Sequence, residues 1–517
     1  MKKTMLGRSV EYAGLALEMR KAKRSQDDAV QHNARRHVAE RMGRLRGLPQ
    51  KIGQMLAMND DDEKASAYTD LGNAAEPIPF HEATEVMNQA WGASYVTKMS
   101  TIDTHGHAAS LGQVHKAETL DGQTVAIKVA YPGIRQAVMN DLKMLGWLSA
   151  PVGDLRRGFD ISDYRSEVIR DLDEELDYHR ELQHQQQFRR LAESIDGLVV
   201  PQPIPDLCAK DVLVSCWEDG ESVEGTRNWT RQHRSQLGRT LLKQFFHLLF
   251  DHGVVHGDPH PGNYRFRMGA GGQPEVVLYD YGSVLYLSER DRLLLLRLIR
   301  DTVEMQGSPL PWLVELGFSA DLLKPIEHKL PALCRILFEP FLNKPKFDLT
   351  NWNRKAKFDD MLGDDRWNFR MAGPAKLILL MRAFRGVVFY LSKWEEPVSW
   401  RLLLEPVLER HRSALNALET TAAADLESEA AGFQCLAKHL RIEVLKENQR
   451  HVSLTFPAAS VENLSDLMDP DLESRLRQDG QDLEAVVRAA RQSCYAPGEL
   501  FSLRDEEQER TVKLWLE

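Results

Sequence analysis

The stretch that most restricts this chain is HGDPHPGN at residues 256–263. Its prolines and glycines read as a rigid turn, not as a helix interior or a central strand. Such a turn can hold Asp258 and Asn263 facing one point. Two oxygen-bearing side chains at a fixed gap position a hydroxyl, a water or a metal ion. His256 and His260 also form an H-x-D-x-H pattern that invites zinc. No further His or Cys stands at a metal-site spacing, so His256 is read as a brace of the loop.

The chain has 517 residues, enough for two or three domains. Hydrophobic content of 43% and charged content of 27% are those of a soluble globular protein. A net charge of −10 argues against wholesale nucleic-acid binding. Cys208, Cys216, Cys334, Cys435 and Cys494 are scattered without a CxxC pair, which fits thiols in a reducing, cytoplasmic compartment. Glu11 and Glu18 interrupt the N-terminal segment, so a cleaved signal peptide is not expected. Leu6, Val10, Ala13 and Leu17 recur at helical spacing, and such a helix docks either on the protein or peripherally on a membrane surface. The most apolar segment, 375–394, is interrupted by Lys376, Arg382 and Arg385. It is too broken to span a bilayer and reads as a core helix starting after Pro374.

Residues 1–95 read as a helical extension, and the pattern changes near 96. From 107 to 134 two strands flank the turn Asp121-Gly122, and the second, TVAIKV, is apolar except for Lys128. A charged helix is expected over 162–194, a buried strand from 211, and an amphipathic helix over 235–253 ending at Gly253. A hairpin follows the proline turn, and residues 285–410 are mostly helical in pattern. An Ala/Glu-rich connector lies within 411–432. Residues 433–517 then read as a small α+β module with a hairpin about Glu447-Asn448 and a final strand pair.

Three elements join the proline turn: Lys128 on its strand, EELDYHRE at 174–181, and LYDYG at 278–282. An apolar strand rarely carries a lysine without a partner. Lysine strand, glutamate helix, D-x4-N loop and D-aromatic-G stand in the order used by protein-kinase folds. Such sites transfer phosphoryl groups: a lysine steadies nucleotide phosphates, a helix glutamate holds the lysine, and Asn and Asp bind magnesium.

KIGQ at 51–54, HAAS at 107–110, ELD at 175–177 and HGDPHPGN together resemble the UbiB-type atypical kinase-like family, also called AarF or ADCK. The resemblance covers about residues 40–330. It implies an α+β, bilobal protein-kinase-like fold with an N-lobe at 96–223, a helical C-lobe at 224–410, the N-terminal extension and the C-terminal α+β module. It implies ATP and Mg2+ as cofactors. Lys128 becomes the nucleotide lysine, Glu175 its helix partner, Asp258 the loop aspartate, and Asn263 and Asp280 the metal ligands. Ala108, Ala109 and Ser110 replace a glycine-rich phosphate cover, and main-chain groups near Cys216–Glu218 face adenine. Lys51 and Gln54 belong to a lid meeting Asp177 or Glu181, which would block a peptide and leave room for a small or lipid-like acceptor. His107, Gly257, Tyr281 and the Cys216-Trp217 pair depart from the family pattern.

The leading expectation is a Mg-ATP-dependent atypical kinase or ATPase, connected through the family to ubiquinone or other isoprenoid-lipid metabolism. The alternative is a nucleotide-gated scaffold with little phosphoryl transfer, whose 433–517 module engages a protein partner.

Overall fold

The computed structural model describes residues 77–109, 111–139, 176–342, 344–374, 376–419, 432–446, 449–468, 482–505 and 510–517. Lys51, Gln54, Ser110, Glu175 and the expected connector core at 420–431 lie outside them. The chain divides into two compact units. One runs through Tyr286 and takes in Ala375–Glu396; the other holds Leu287–Pro374 and Pro397–Glu517. This division cuts across the segment 224–410 that the sequence suggests as one helical lobe.

The first unit begins with α1, Phe80–Trp91, which stops at Gly92 in the left-handed region (φ 63°). A five-stranded antiparallel sheet follows, built from β1 (Met99–Ile102), β2 (His107–Ala108), β3 (Gly112–Thr119), β4 (Thr124–Ala130) and, later in the chain, β6 (Val212–Cys216). The sequence reading missed β1. β3 and β4 form the expected hairpin about Asp121-Gly122, whose turn is closed by Thr119 Oγ1 donating to the Asp121 carboxylate at 2.5 Å. Along β4, Val125, Ile127 and Val129 are fully buried on one face, packed with Ala83 and Met87 of α1. Strand periodicity then turns Lys128 to the opposite face.

α2, Tyr178–Ala192, is capped by the Asp177 carboxylate, which accepts from the His179 and Arg180 N–H groups. Its buried face carries Tyr178, Glu181, Gln185 and Phe188, the spacing of one helical stripe. β5 (Leu198–Val199) lies parallel to β9 (Pro274–Leu278), which pairs with β8 (Tyr264–Met268). α3, Arg231–Phe246, runs into a π-helical turn, His247–Asp251, and stops at Gly253 as its sequence suggests. β7 (Val254–His256) pairs with β10 (Val284–Tyr286), which places the proline turn beside the residues after Asp280. α4, Lys376–Trp394, completes the unit.

The second unit holds the helix Glu289–Glu304, a run of short helices to Ala372, and an antiparallel sheet. The sheet order is β12-β11-β14-β13, from β11 (His439–Lys446), β12 (Gln449–Pro457), β13 (Gly498–Asp505) and β14 (Arg510–Leu516). α5, Leu483–Gln492, covers it. Leu440, Ile442, Leu514 and Leu516 of the sheet share one hydrophobic core with Leu294, Leu298, Leu333 and Ile336 of the helices. Among the described residues no helix is long and apolar enough to cross a membrane.

Candidate active site

Lys128 donates to both oxygens of Glu181, at 2.7 and 2.9 Å, and to Asp280 Oδ2 at 3.0 Å. Its ammonium also lies 5.2 Å from the centre of the Tyr178 ring. The helix partner of the lysine is therefore Glu181. Glu175, expected in that role, lies outside the described residues. Glu181, expected as a lid contact, is 1% exposed and taken up by Lys128. Asp177, the other candidate lid contact, caps α2.

One lysine thus faces two carboxylates. Burial works against the charge on Lys128, yet Asp280 and Glu181 hold its ammonium well above the ordinary value. Burial pushes Glu181 up to about 7, with Lys128 opposing and the Asp280 charge adding to the rise. The outermost member of the group, Asp280, keeps 18% of its side chain exposed.

The segment after β9 is held in a strained shape. Asp280 has φ 59°, a left-handed value uncommon for a side-chain-bearing residue. Its Oδ1 accepts from Gly282 N at 3.0 Å. His256 Nε2 donates to the Asp280 carbonyl at 2.6 Å, His184 Nδ1 to the Tyr281 carbonyl at 3.0 Å, and Tyr281 N to Glu181 at 3.2 Å. Burial among Phe188, Tyr264 and Tyr281 lowers the His256 pKa, which keeps the ring neutral and bracing. His260 is also spent locally, accepting from Gly262 N at 3.0 Å. Among the described residues no group of three or more His, Cys, Asp or Glu could hold a metal ion.

The turn itself explains one departure from the family pattern. Gly257 donates to Ser283 O at 2.9 Å, and a Cβ there would lie 2.7 Å from Ser283 Oγ. The neighbouring serine leaves no room for an alanine unless it moves. Asn263 Nδ2 donates to the Asp258 carbonyl at 3.2 Å, which leaves the amide oxygen as the free end of the side chain. Asn263 and Asp280 thereby offer hard oxygen donors, the set magnesium takes when nucleotide phosphates and water complete its shell.

α4 supplies residues that the sequence reading passed over. Arg382 Nη2 donates to Asp258 Oδ1 at 2.5 Å, both side chains being 8% exposed. Four residues on, a Cβ on Gly386 would stand 2.0 Å from Pro259 Cβ, so only glycine permits this approach. Tyr390 donates to the Pro259 carbonyl at 3.0 Å, and Trp394 Nε1 to Thr226 Oγ1 at 2.8 Å. Arg382, Gly386, Tyr390 and Trp394 form one i, i+4 stripe that splints the turn. The signal was present as an arginine inside an apolar helix.

The remaining expected residues are positioned as follows. Ala108 ends β2 opposite Gln113, and Ala109 N donates to Gly112 O at 2.8 Å, which makes a tight cover at the edge of the sheet. Cys216 N is used by Gln202 O at 2.7 Å, and its thiol accepts from Gln123. The Glu218 carbonyl accepts the Tyr279 hydroxyl at 2.5 Å. These two groups are therefore engaged within the protein.

A lysine strand, a helix glutamate paired to it, a D-x4-N turn and a metal-type aspartate on one scaffold define a protein-kinase-like domain of atypical kind. The family model of the ABC1 atypical kinase-like domain matches residues 70–308. Over that stretch, less than half of its length, the chain resembles the UbiB-type (AarF/ADCK) family. The chain is 28% identical over 257 residues to the mitochondrial atypical kinase coq-8 of Caenorhabditis elegans, covering 48% of this chain and 34% of that protein. It is 25% identical over 251 residues to the mitochondrial atypical kinase COQ8 of Saccharomyces cerevisiae, covering 48% and 50%. It is 31% identical over 256 residues to AarF domain-containing protein kinase 1 of Mus musculus, covering 48% and 49%. The chain thus spans half or less of the length of these curated relatives. Among solved structures, a Mycobacterium tuberculosis protein in complex with erythromycin superposes with a TM-score of 0.50 at 25% identity, over 70% of this chain and 93% of that one.

Proposed function

We propose that this protein binds Mg-ATP and catalyses ATP hydrolysis or phosphoryl transfer to a small or lipid-like acceptor. The observation that carries this reading is the Lys128 bridge between Glu181 and Asp280. In this reading Lys128, oriented by Glu181, steadies the nucleotide phosphates. Asn263 and Asp280 would hold the magnesium, which when bound neutralises phosphate charge. Asp258 orients the attacking hydroxyl or water, and Arg382 fixes the carboxylate's direction. Ala108, Ala109 and Ser110 cover the phosphates. The proposed lid of Lys51 and Gln54 stands on the sequence resemblance, as does the link to isoprenoid-lipid metabolism. The domain boundaries drawn from sequence remain proposals as well.

One observation favours a second reading. The short Arg382–Asp258 pair ties up one oxygen of the loop aspartate, which suits a nucleotide-gated scaffold with little turnover. Magnesium-dependent ATP turnover of the purified chain, beside Asp280→Asn and Glu181→Gln, decides between them. Turnover lost in both variants supports the enzyme. Tight Mg-ATP binding with no turnover in any form supports the scaffold. Turnover unaffected by Asp280→Asn contradicts the site assignment.

A further inference from the structure

Gln113 and His115 of β3 are fully buried polar side chains that the proposed chemistry does not use. Two residues apart, they share one face of the strand. Gln113 Oε1 accepts from Ile78 N at 2.7 Å, and its Nε2 reaches the Ile78 carbonyl at 3.4 Å. One side-chain amide thus pairs with both main-chain groups of Ile78. Gln113 Nε2 also lies 2.7 Å from His115 Nε2, and His115 Nδ1 lies 2.7 Å from the Asp103 carbonyl. Each link dictates the next. The Ile78 N–H only donates, which turns Gln113 Oε1 toward it and Nε2 toward the ring. The Asp103 carbonyl only accepts, so Nδ1 carries the ring proton. Nε2 of the ring is then the acceptor, and one form fits: neutral imidazole protonated on Nδ1. A second proton, on Nε2, would set one N–H against another. Turning the Gln113 amide over would satisfy the imidazolium but present its NH2 to the Ile78 N–H. Gly106 closes off the contact: a Cβ there would stand 2.9 Å from His115 Cε1 and 3.0 Å from Gln113 Nε2. Ile78 leads into α1, whose N-cap, Pro79, makes no side-chain hydrogen bond.

We propose that Gln113 and His115 form a proton-operated latch on the entry to α1: the neutral imidazole locks Gln113 onto the Ile78 main chain, and protonation at Nε2 releases it. The latch is independent of the nucleotide-site reading. Burial lowers the His115 pKa from its ordinary 6.5; Asp103 opposes the shift, and His107 and His105 add to it. These three are the titratable groups that face the ring, Asp103 and His105 from the β1–β2 loop and His107 from β2. α1 brings the uncharged Phe80 ring, 5.7 Å away, and β4 sets Ile127 opposite His115. A folded pKa below the unfolded one gives stability that is full above 6.5 and lost as pH falls through the folded value. The latch is therefore closed at neutral pH and opens in acid.

The test is hydrogen–deuterium exchange of the full chain at about pH 8 and about pH 5, corrected for the intrinsic pH dependence of exchange. The Ile78 amide is read from overlapping peptides, with β6 as the internal reference. In the wild type its protection should fall about 3- to 10-fold in acid relative to β6, the worth of one net hydrogen bond. His115→Gln offers a donor and an acceptor that do not titrate, and should abolish the fall. Gln113→Glu keeps an acceptor for Ile78 and gives the imidazolium a carboxylate oxygen, so the fall should become a rise. If His115→Gln fails to fold, the reversal in Gln113→Glu still decides. No wild-type fall beyond that of β6, or the same fall in every folded variant, overturns the latch.

Discussion

Among the described residues Lys128 and Lys357 each face two carboxylates, and their surroundings differ. In the second unit Lys357, 2% exposed, donates to Glu339 at 2.8 Å and stands 3.6 Å from Glu462. Glu462 also accepts from Arg491 at 2.7 Å and from the Tyr495 hydroxyl at 2.6 Å, and Arg491 reaches Asp360 at 2.6 Å. Arg335 lines the same small cavity. Three basic groups thus meet three acidic ones. Although burial opposes it, Arg491 and Lys357 hold Glu462 below the ordinary carboxylate range, while burial raises Glu339. In the first unit Lys128 bonds both Glu181 and Asp280, and Glu181 rises to about 7. The cluster at Lys357 ties helical elements of the second unit to one another. The cluster at Lys128 is the one that the proposed site shares with the metal, through Asp280.

That contrast can be broken most forcefully at Asp280. Asp280→Asn should lower Mg-dependent turnover by about 100-fold or more, the scale of a lost charge stabiliser at a reacting phosphate. Its thermal midpoint should hold or rise, because a like charge beside Glu181 is removed. A large loss of stability would make this cluster structural like its counterpart. Lys357→Met is the reverse case: it strands Glu339 and Glu462 and should cost about 3–5 kcal/mol in urea unfolding. Mg-ATP affinity of the folded fraction should stay within about 2-fold.

Gly386→Ala sharpens the account of the splint. Pushing α4 off Pro259 should cost about 1–3 kcal/mol, the scale of overpacking. Turnover should fall with little change in ATP affinity, since the loop aspartate and not the phosphate lysine is displaced. Glu181→Gln has the subtlest effect. The folded pKa of about 7 lies above the unfolded 4.5, so the folded chain binds the extra proton between these values. That stability is full below 4.5 and lost as pH rises through about 7. The variant should lack this slope when unfolding midpoints at about pH 5 and about pH 8 are compared.

Much of the fold was legible because its signals are local. Strand alternation set Lys128 against a buried face, and the Asp121-Gly122 turn fixed the hairpin. The proline turn and Asp280 could be read as separate motifs. Glu181 was not singled out as the lysine's partner because EELDYHRE offers several acids and the helix phase is not evident from composition. Asp177 as cap sets that phase, and it turns Glu181 inward with Tyr178, Gln185 and Phe188. Arg382 was hidden for another reason. Its partner Asp258 is 124 residues away, and only the packing of α4 on the turn brings them together. Gly257 likewise makes sense only beside Ser283.

The central claim is that the cluster of Lys128, Glu181 and Asp280 is a seat for Mg-ATP. Calorimetric titration of ATP into the full chain, with and without magnesium, tests it beside Asp280→Asn and Lys357→Met. The account expects magnesium-dependent binding in the wild type and Lys357→Met, and its loss in Asp280→Asn. Binding that ignores magnesium, or that survives unchanged in Asp280→Asn, would contradict it.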